Sequence, residues 1–135
     1  MNVREGVILG EKMDSRILNF EKMAFEKVLN YSIKKGRISK EIYNQLQQQH
    51  SNAKISYEYT GIGFYFDYDI VKITDVNKQF NDRIILGGTE MHSPFIEECG
   101  VELILFVDDG EIQFLEGQGY GMTVNERFFD EYYIS

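Results

Sequence analysis

The chain has 135 residues, of which 43% are hydrophobic and 27% are charged, proportions that are ordinary for a soluble globular protein. This length fits a single domain spanning residues 1–135, and the single cysteine and single proline exclude a disulfide scaffold and a cysteine-rich zinc site. The net charge is −8, and its acidic excess is confined to residues 86–135, where 11 acids accompany one base, whereas residues 1–85 carry 11 acids and 13 bases.

No segment reaches the roughly 18 apolar residues that a membrane-spanning helix needs. Near the start of the chain, the short apolar run Val7–Leu9 is followed at once by charged residues, which is not the pattern of a secretory signal. We therefore expect a cytoplasmic protein that does not enter a membrane.

Two helices are predicted in the first third of the chain. From Asp14 to Lys35, apolar residues recur at intervals of three and four, which predicts an amphipathic helix that Asp14 or Ser15 caps and Gly36 ends. The predicted apolar stripe consists of Ile17, Leu18, Met23, Ala24, Phe25, Val28, Leu29 and Ile33. A second helix is predicted from Lys40 to about Gln49 with Ser39 as its N-cap, so that the two helices form an αα-hairpin.

Alternation with a period of two begins at Ala53 and predicts strands. Ile55, Tyr57 and Tyr59 alternate with polar residues, and the next strand is predicted to place Phe64, Phe66 and Tyr68 on one face and Tyr65, Asp67 and Asp69 on the other. Further strands are predicted at 83–90, at 101–107, which should be central because both of its faces are apolar, and at 111–117.

The end of the chain is predicted to form a short helix that carries five apolar residues: Val124, Phe128, Phe129, Tyr132 and Tyr133. The order of elements predicts an α+β fold, in which the N-terminal helical hairpin packs on an antiparallel sheet of four to five strands and a short C-terminal helix follows.

The stretch VDDGEIQFLEGQGYG at 107–121 combines acids with glycines and could be read as a metal loop, a phosphate loop or a turn. A calcium loop starting at Asp108 would need oxygen ligands at Gly110 and Ile112, and the glycines lack the G-x-G-x-x-G spacing of a dinucleotide loop. A two-residue type I′ turn at Asp109-Gly110 fits better. This hairpin is predicted to pair three sets of residues and to expose its flanking acids at the tip: Val107 with Ile112, Leu105 with Phe114, and Ile104 with Leu115.

Patterns that would indicate catalysis or metal binding are weak. Four residues with ligand side chains accompany His92 in the sequence: Glu90, Glu97, Glu98 and Cys99. They lack the paired His or Cys spacing of a metal site. Ser93 is not part of a G-x-S-x-G elbow, and Asp67 with Asp69 is more typical of a solvated strand face than of an acid–base pair. We therefore expect a protein that is not an enzyme and binds no metal or cofactor.

The αα-hairpin, the run YTGIGFYFDY and the later run GVELILFVDDGEIQFLEGQGYG together resemble a group of small bacterial α+β proteins with the pattern G-x-G-F followed by L-F-x-x-D-G-x-I-x-x-L-E-G-x-x-Y. The matching residues are Gly61, Gly63, Phe64, Gly100, Leu105, Phe106, Asp109, Gly110, Ile112, Leu115, Glu116, Gly117 and Tyr120. Similar small acidic proteins often serve as immunity proteins, which neutralise a toxin in interbacterial competition. The segment after Tyr120 departs from the acidic, proline-containing tail of that group.

The charge and the resemblance together lead us to expect a non-enzymatic protein-binding domain, and the resemblance implies an immunity protein that neutralises a basic, nuclease-like toxin domain. The acidic field of residues 86–135 repels nucleic acid and favours a basic protein partner. The predicted partner-binding residues are Asp108, Asp109, Glu111, Glu116, Tyr120, Glu126, Asp130 and Glu131.

Two alternatives from other classes stay open on the sequence. One is a small ligand-binding or enzymatic domain with a site in a cavity of the sheet, around Tyr57, Tyr59, Tyr65, Asp67 and His92. The other is a structural subunit that oligomerises, for instance as a homodimer, through an exposed edge of the sheet.

Overall fold

The computed structural model describes residues 7–9, 13–70, 83–96, 100–121 and 123–135. The elements in chain order are β1 (Val7–Leu9), α1 (Ser15–Lys34), α2 (Lys40–Ser51), β2 (Lys54–Tyr59), β3 (Gly63–Asp69), β4 (Ile84–His92), β5 (Val101–Asp108), β6 (Glu111–Gln118), a 3₁₀ helix (Glu126–Asp130) and β7 (Tyr133–Ile134). The strands form one antiparallel sheet in the order β1-β2-β3-β6-β5-β4-β7.

The α+β architecture and the N-terminal helical hairpin are confirmed, but the described residues form more strands than the four to five predicted. The additional strands are β1 and β7, which are three and two residues long and pair with β2 and β4. Such short segments carry almost no periodic signal of their own, and pairing with a longer neighbour defines them.

The predicted C-terminal helix is wrong in its extent. Only Glu126–Asp130 is helical, as a 3₁₀ helix, and the backbone is extended again at Glu131. Tyr133 and Ile134 then pair with His92 and Met91 of β4. Pairing with the sheet provides hydrogen-bond partners for the backbone groups of this segment. A helix of this length would leave most of them without partners, and its nucleation would be unfavourable.

The helix caps agree with the sequence. The Asp14 carboxylate accepts the backbone N–H of Arg16 at 2.8 Å at the start of α1, and Ser39 accepts that of Ile42 at 3.2 Å at the start of α2. Gly36 follows α1 with φ +71°, the left-handed conformation that glycine adopts without strain. The turn between the helices is therefore short, and α1 and α2 lie on the same side of the sheet.

The core lies between the helices and one face of the sheet, which we call the inner face. Phe20 is fully buried at its centre, and its ring lies 4.9–6.2 Å from five other aromatic rings: Phe64, Phe66, Phe128, Phe129 and Tyr132. The sequence-predicted stripe of α1 omitted Phe20 and included Met23, which is 43% exposed. The predicted stripe nevertheless overlaps the buried face, since five of its eight residues are buried: Ile17, Ala24, Phe25, Val28 and Leu29. Its centre is displaced to one side because an apolar run broader than a helix face fixes its centre poorly.

The turn at Asp109-Gly110 is confirmed, since both residues have positive φ (52° and 77°), as a type I′ turn requires. Val107 pairs with Ile112 as predicted, but the other two predicted pairs are wrong. Leu105 lies opposite Leu115, and Phe106 lies opposite Phe114. A β-bulge at Gln113 inserts one residue into β6 and so returns Leu115 to the inner face.

Candidate functional site

The second face of the sheet, which we call the outer face, points away from both helices in the described part of the chain. The strand register places Asp67, Phe114, Phe106 and Ile85 in one row that crosses β3, β6, β5 and β4. Ile85 at the end of this row is 56% exposed, whereas its neighbour Leu86, on the inner face, is buried. The outer face is thus a partly solvated surface that spans the central strands.

Carboxylates dominate the outer face. The register assigns to it eight acidic residues of β2 to β6: Glu58, Asp67, Asp69, Glu90, Glu102, Asp108, Glu111 and Glu116. Lys54, paired with Asp69, is the basic residue that these five strands contribute to the same face. Arg83, immediately before β4, places its Nη2 3.9 Å from the Asp108 carboxylate. The charge of this face is therefore strongly negative.

Some of these acids face each other directly. Glu90 of β4 lies opposite Glu102 of β5, and Asp108 of β5 lies opposite Glu111 of β6. Like charges at directly opposite positions of an antiparallel pair are destabilising. These two pairs therefore place like charges side by side, and Arg83 near Asp108 and His92 near Glu90 reduce part of the repulsion.

Three aromatic side chains lie among the carboxylates, and we call them the aromatic cluster: Tyr65, Phe106 and Phe114. The rings of Phe106 and Phe114 are stacked with their centroids 4.4 Å apart and their planes at 22°. Tyr65 meets Phe114 edge-on at 5.8 Å. All three side chains are only half-buried, so each has surface available for contact.

Two tyrosine hydroxyls fix carboxylates on this face. Tyr65 donates to Glu116 Oε2 at 2.8 Å, and Tyr120, from the loop after β6, donates to Glu102. The hydrogen bond to Glu116 raises the pKa of Tyr65, with smaller contributions from burial and from the charges of Glu116, Glu58 and Asp67. Both carboxylates are consequently held in place while the remaining part of each can accept further donors.

The structure does not gather the eight sequence-predicted binding residues into one site. Four of them, Asp108, Glu111, Glu116 and Tyr120, belong to or reach the outer face. Asp109 lies at the exposed tip of the β5–β6 hairpin. The remaining three, Glu126, Asp130 and Glu131, belong to the C-terminal segment, which packs on the helix side.

The hairpin tip is less free than the sequence suggested. The Gln49 side chain donates to the Gly110 carbonyl oxygen at 2.7 Å and accepts the backbone N–H of Ile112 at 2.9 Å. Gln45 donates to the same carbonyl at 3.2 Å. The turn is thus docked on α2, and only the side chains at its outer side are exposed.

The C-terminal segment is attached to the inner side of the sheet. Glu126 accepts a hydrogen bond of 2.7 Å from the Tyr57 hydroxyl, and Asp130 forms an ion pair with Arg16 of α1. Phe128 and Phe129 are 0% and 5% exposed and belong to the core. Tyr133 is 64% exposed and stacks on His92.

The residues of the alternative cavity site do not converge. Tyr57 and Tyr59 are on the inner face, where their hydroxyls donate to Glu126 and to the Val124 carbonyl oxygen. Burial is the main cause that raises the pKa of Tyr57. Tyr65 and Asp67 lie on the outer face of β3, and His92 lies on the same face but on β4, three strands away.

The candidate metal and acid–base groups are only partly within the described residues. His92 Nε2 lies 3.4 Å from a Glu90 carboxylate oxygen, whereas Glu97, Glu98 and Cys99 lie outside the described ranges. Among the residues that are described, no three His, Cys, Asp or Glu side chains are grouped as metal ligands. Asp67 and Asp69 are neighbours on the outer face, as the alternation predicted.

A buried polar cluster beneath α1 was not recognised from the sequence. Glu21 is 1% exposed, and its Oε2 atom accepts from the Tyr68 hydroxyl at 2.7 Å and lies 2.6 Å from His50 Nε2. The His50 ring is stacked on Phe25 at 3.9 Å. The cluster joins α1, α2 and β3 inside the core, which identifies His50 as a structural residue of the packing.

The sequence also missed the acids that β2 and β3 add to the outer face. Glu58, Asp67 and Asp69 lie in the part of the sequence with balanced charge, but β3 pairs with β6 and brings them beside Glu116 and Phe114. The alternation within each strand was a usable signal for which face each acid occupies. The adjacency of β3 and β6 carried no local signal.

No helix in the described residues has the length and hydropathy to cross a bilayer. Comparisons of the chain with protein families, with curated proteins and with solved structures found no match.

Proposed function

We propose that this protein is a non-enzymatic binding domain whose acidic outer face masks a basic protein partner. We further propose that it acts in the cytoplasm as an immunity protein against a nuclease-like toxin domain. The described surface that best supports a partner of this charge is the outer face, with its eight carboxylates around the aromatic cluster.

The observation that carries the proposal is the direct opposition of like charges, Glu90 with Glu102 and Asp108 with Glu111. Opposed carboxylates repel each other, and Arg83 near Asp108 offsets only part of this repulsion. Residues that reduce the stability of their own fold are characteristic of functional surfaces. Positive charges on a partner would relieve the repulsion, so the complex gains from the same residues that destabilise the free protein.

The aromatic cluster supplies packed apolar contact area, which the surrounding charges do not. Interface affinity depends mainly on a few large, well-packed side chains, while the surrounding charges set association rate and selectivity. Phe106 and Phe114 are stacked before any partner arrives, so little rotamer freedom remains to be lost on binding. The surface thus combines central aromatic rings with a charged periphery.

A nuclease domain is a suitable basic partner because its substrate-binding surface must attract phosphates. An acidic face can cover that surface and compete with nucleic acid by the same electrostatic force. The resemblance to small bacterial immunity proteins supports a toxin domain as the partner. The gene that encodes this toxin would then be expected next to the gene of this protein.

The test measures association of the protein with a catalytically inactive form of the polypeptide encoded immediately upstream. The double variant Glu102→Gln/Glu116→Gln removes two outer-face charges, and Glu126→Gln/Glu131→Gln removes two from the inner side as a matched control. We expect the first variant to lower the association rate constant about three- to ten-fold at low salt and the control to change it by less than about two-fold.

Salt dependence completes the test. Between about 0.01 M and about 0.15 M salt the screening length falls from about 30 Å to about 8 Å, so the wild-type association rate should fall steeply. Cells that produce the active toxin should survive only if they also produce the wild-type protein. The proposal is wrong if the upstream polypeptide does not bind, or if both double variants slow association equally.

A further inference from the structure

We propose that the outer face is selective for arginine over lysine side chains of its basic partner, with Phe106 and Phe114 as the stacking surface. This inference rests on the proposed function and specifies the chemistry of the partner at the same face.

The first ground is the placement of the rings. Phe106 and Phe114 occupy directly opposite positions on β5 and β6 at the middle of the outer face, and they are stacked at 4.4 Å. Tyr65 supports Phe114 from β3 by an edge-on contact. Packing therefore fixes the rings in one arrangement. The stack covers the facing sides of Phe106 and Phe114, and because both side chains are still partly exposed, aromatic surface remains for a ligand.

The second ground is the position of the carboxylates relative to those rings. Asp67 lies directly opposite Phe114, at a spacing of roughly 5 Å between Cβ atoms for such pairs. Glu116 lies two residues further along β6 on the same face, about 7 Å away, and the Tyr65 hydroxyl holds it. A cation on the side of the Phe114 ring that Phe106 does not cover, above Asp67, is therefore within reach of carboxylates on two sides.

Arginine uses this combination better than lysine does. A guanidinium group is planar and weakly hydrated, so it can lie on an aromatic ring while the N–H groups at its margin donate to neighbouring carboxylates. An ammonium group is compact and strongly hydrated, and it loses more hydration when it approaches a ring. Carboxylates alone would attract both side chains, and it is the rings that distinguish between them.

The experiment uses fluorescent oligo-arginine and oligo-lysine peptides of equal length as probes at low salt. We expect the wild-type protein to bind oligo-arginine about five- to twenty-fold more tightly, since each stacked guanidinium contributes about two- to five-fold. In Phe106→Leu/Phe114→Leu we expect this preference to fall to about two-fold or less, with oligo-lysine affinity nearly unchanged. Urea unfolding confirms that the variant is folded under the binding conditions.

Tyr133→Leu is the matched control, because it removes an exposed aromatic ring that lies at the sheet edge, outside the aromatic cluster. It should retain the full preference for arginine. Equal binding of the two peptides by the wild type, or an unchanged preference in the double leucine variant, overturns the inference and leaves the acidic face as a general cation-binding surface. Absence of binding by either peptide instead contradicts the proposed function itself.

Discussion

The inner and outer faces of the same strands both carry aromatic side chains, but in opposite surroundings. On the inner face, Phe64 and Phe66 are fully buried, and their rings contact Phe20 of α1 and other residues of the core. On the outer face, Phe106 and Phe114 are only partly buried and lie among carboxylates. One sheet thus separates residues that hold the fold together from residues that are available to a partner.

The difference shows which properties folding alone explains. The inner face follows from the hydrophobic effect, since each buried ring removes a large apolar area from water. The outer face does not follow from it, because opposed carboxylates lower stability and half-exposed rings contribute only part of their area. Substitutions in the core should therefore mainly change the stability of the fold, and substitutions on the outer face should mainly change binding.

The largest expected difference is between the same substitution in the core and on the outer face of the sheet. Phe20→Ala should reduce the free energy of unfolding by about 3–5 kcal/mol, because it opens a cavity among five rings. Phe106→Ala should reduce it by about 1–2 kcal/mol, since its ring is partly exposed and the substitution opens no cavity in the core. Urea unfolding measures both. Equal losses would show that the outer rings are as important to the fold as the core.

An intermediate effect is expected for the buried polar cluster of the inner side. Tyr68→Phe removes a hydrogen bond to the buried Glu21 carboxylate and should cost about 1–3 kcal/mol at neutral pH. Burial and the neighbouring Glu21 raise the pKa of Tyr68 well above its ordinary value. In the folded protein the hydroxyl therefore keeps its proton at a pH where the unfolded chain loses it.

The sign of the pH dependence follows from that shift. The contribution of Tyr68 to stability is complete below about pH 10, the pKa in the unfolded chain, and it declines by about 1.4 kcal/mol per pH unit above it. Tyr57, whose pKa is also raised, adds a decline of the same sign. Urea unfolding between neutral and strongly alkaline pH should show a shallower decline for Tyr68→Phe than for the wild type. Parallel curves would contradict the assignment.

The sequence predicted the local features of both faces well. Helix boundaries followed from the caps Asp14 and Ser39 and from Gly36, and the Asp109-Gly110 turn followed from the need for two positive φ values. The alternation in β3 correctly separated Phe64 and Phe66 from the acids. Each of these features depends on interactions within a few residues, which a single sequence records.

What the sequence did not predict depends on contacts between distant segments. The bulge at Gln113 adds a residue without disturbing the local pattern, so the predicted register failed beyond Ile112. The neighbours of β3 could not be read from β3 itself, so Asp67 was not associated with Phe114. The C-terminal acids were grouped with the hairpin acids because they are close in sequence, although the sheet lies between the C-terminal segment and the outer face.

The smallest expected change in stability has an unusual sign. Glu102→Gln removes the charge that opposes Glu90 across β4 and β5, while a glutamine oxygen can still accept the Tyr120 hydroxyl. The variant should be more stable than the wild type by about 0.2–0.5 kcal/mol, because a repulsive cross-strand pair is lost. It should at the same time bind the basic partner more slowly.

The control is Glu131→Gln, which removes the same charge from the exposed inner-side segment, where no directly opposite acid is found among the described residues. We expect it to leave both stability and association rate nearly unchanged. Thermal unfolding and association kinetics on the same samples test the pair. If Glu102→Gln lowers stability, the outer carboxylates contribute to the fold, and the distinction between the two faces is weaker than the register suggests. If stability rises and association slows together, the acids of the outer face serve the partner at the expense of the free protein.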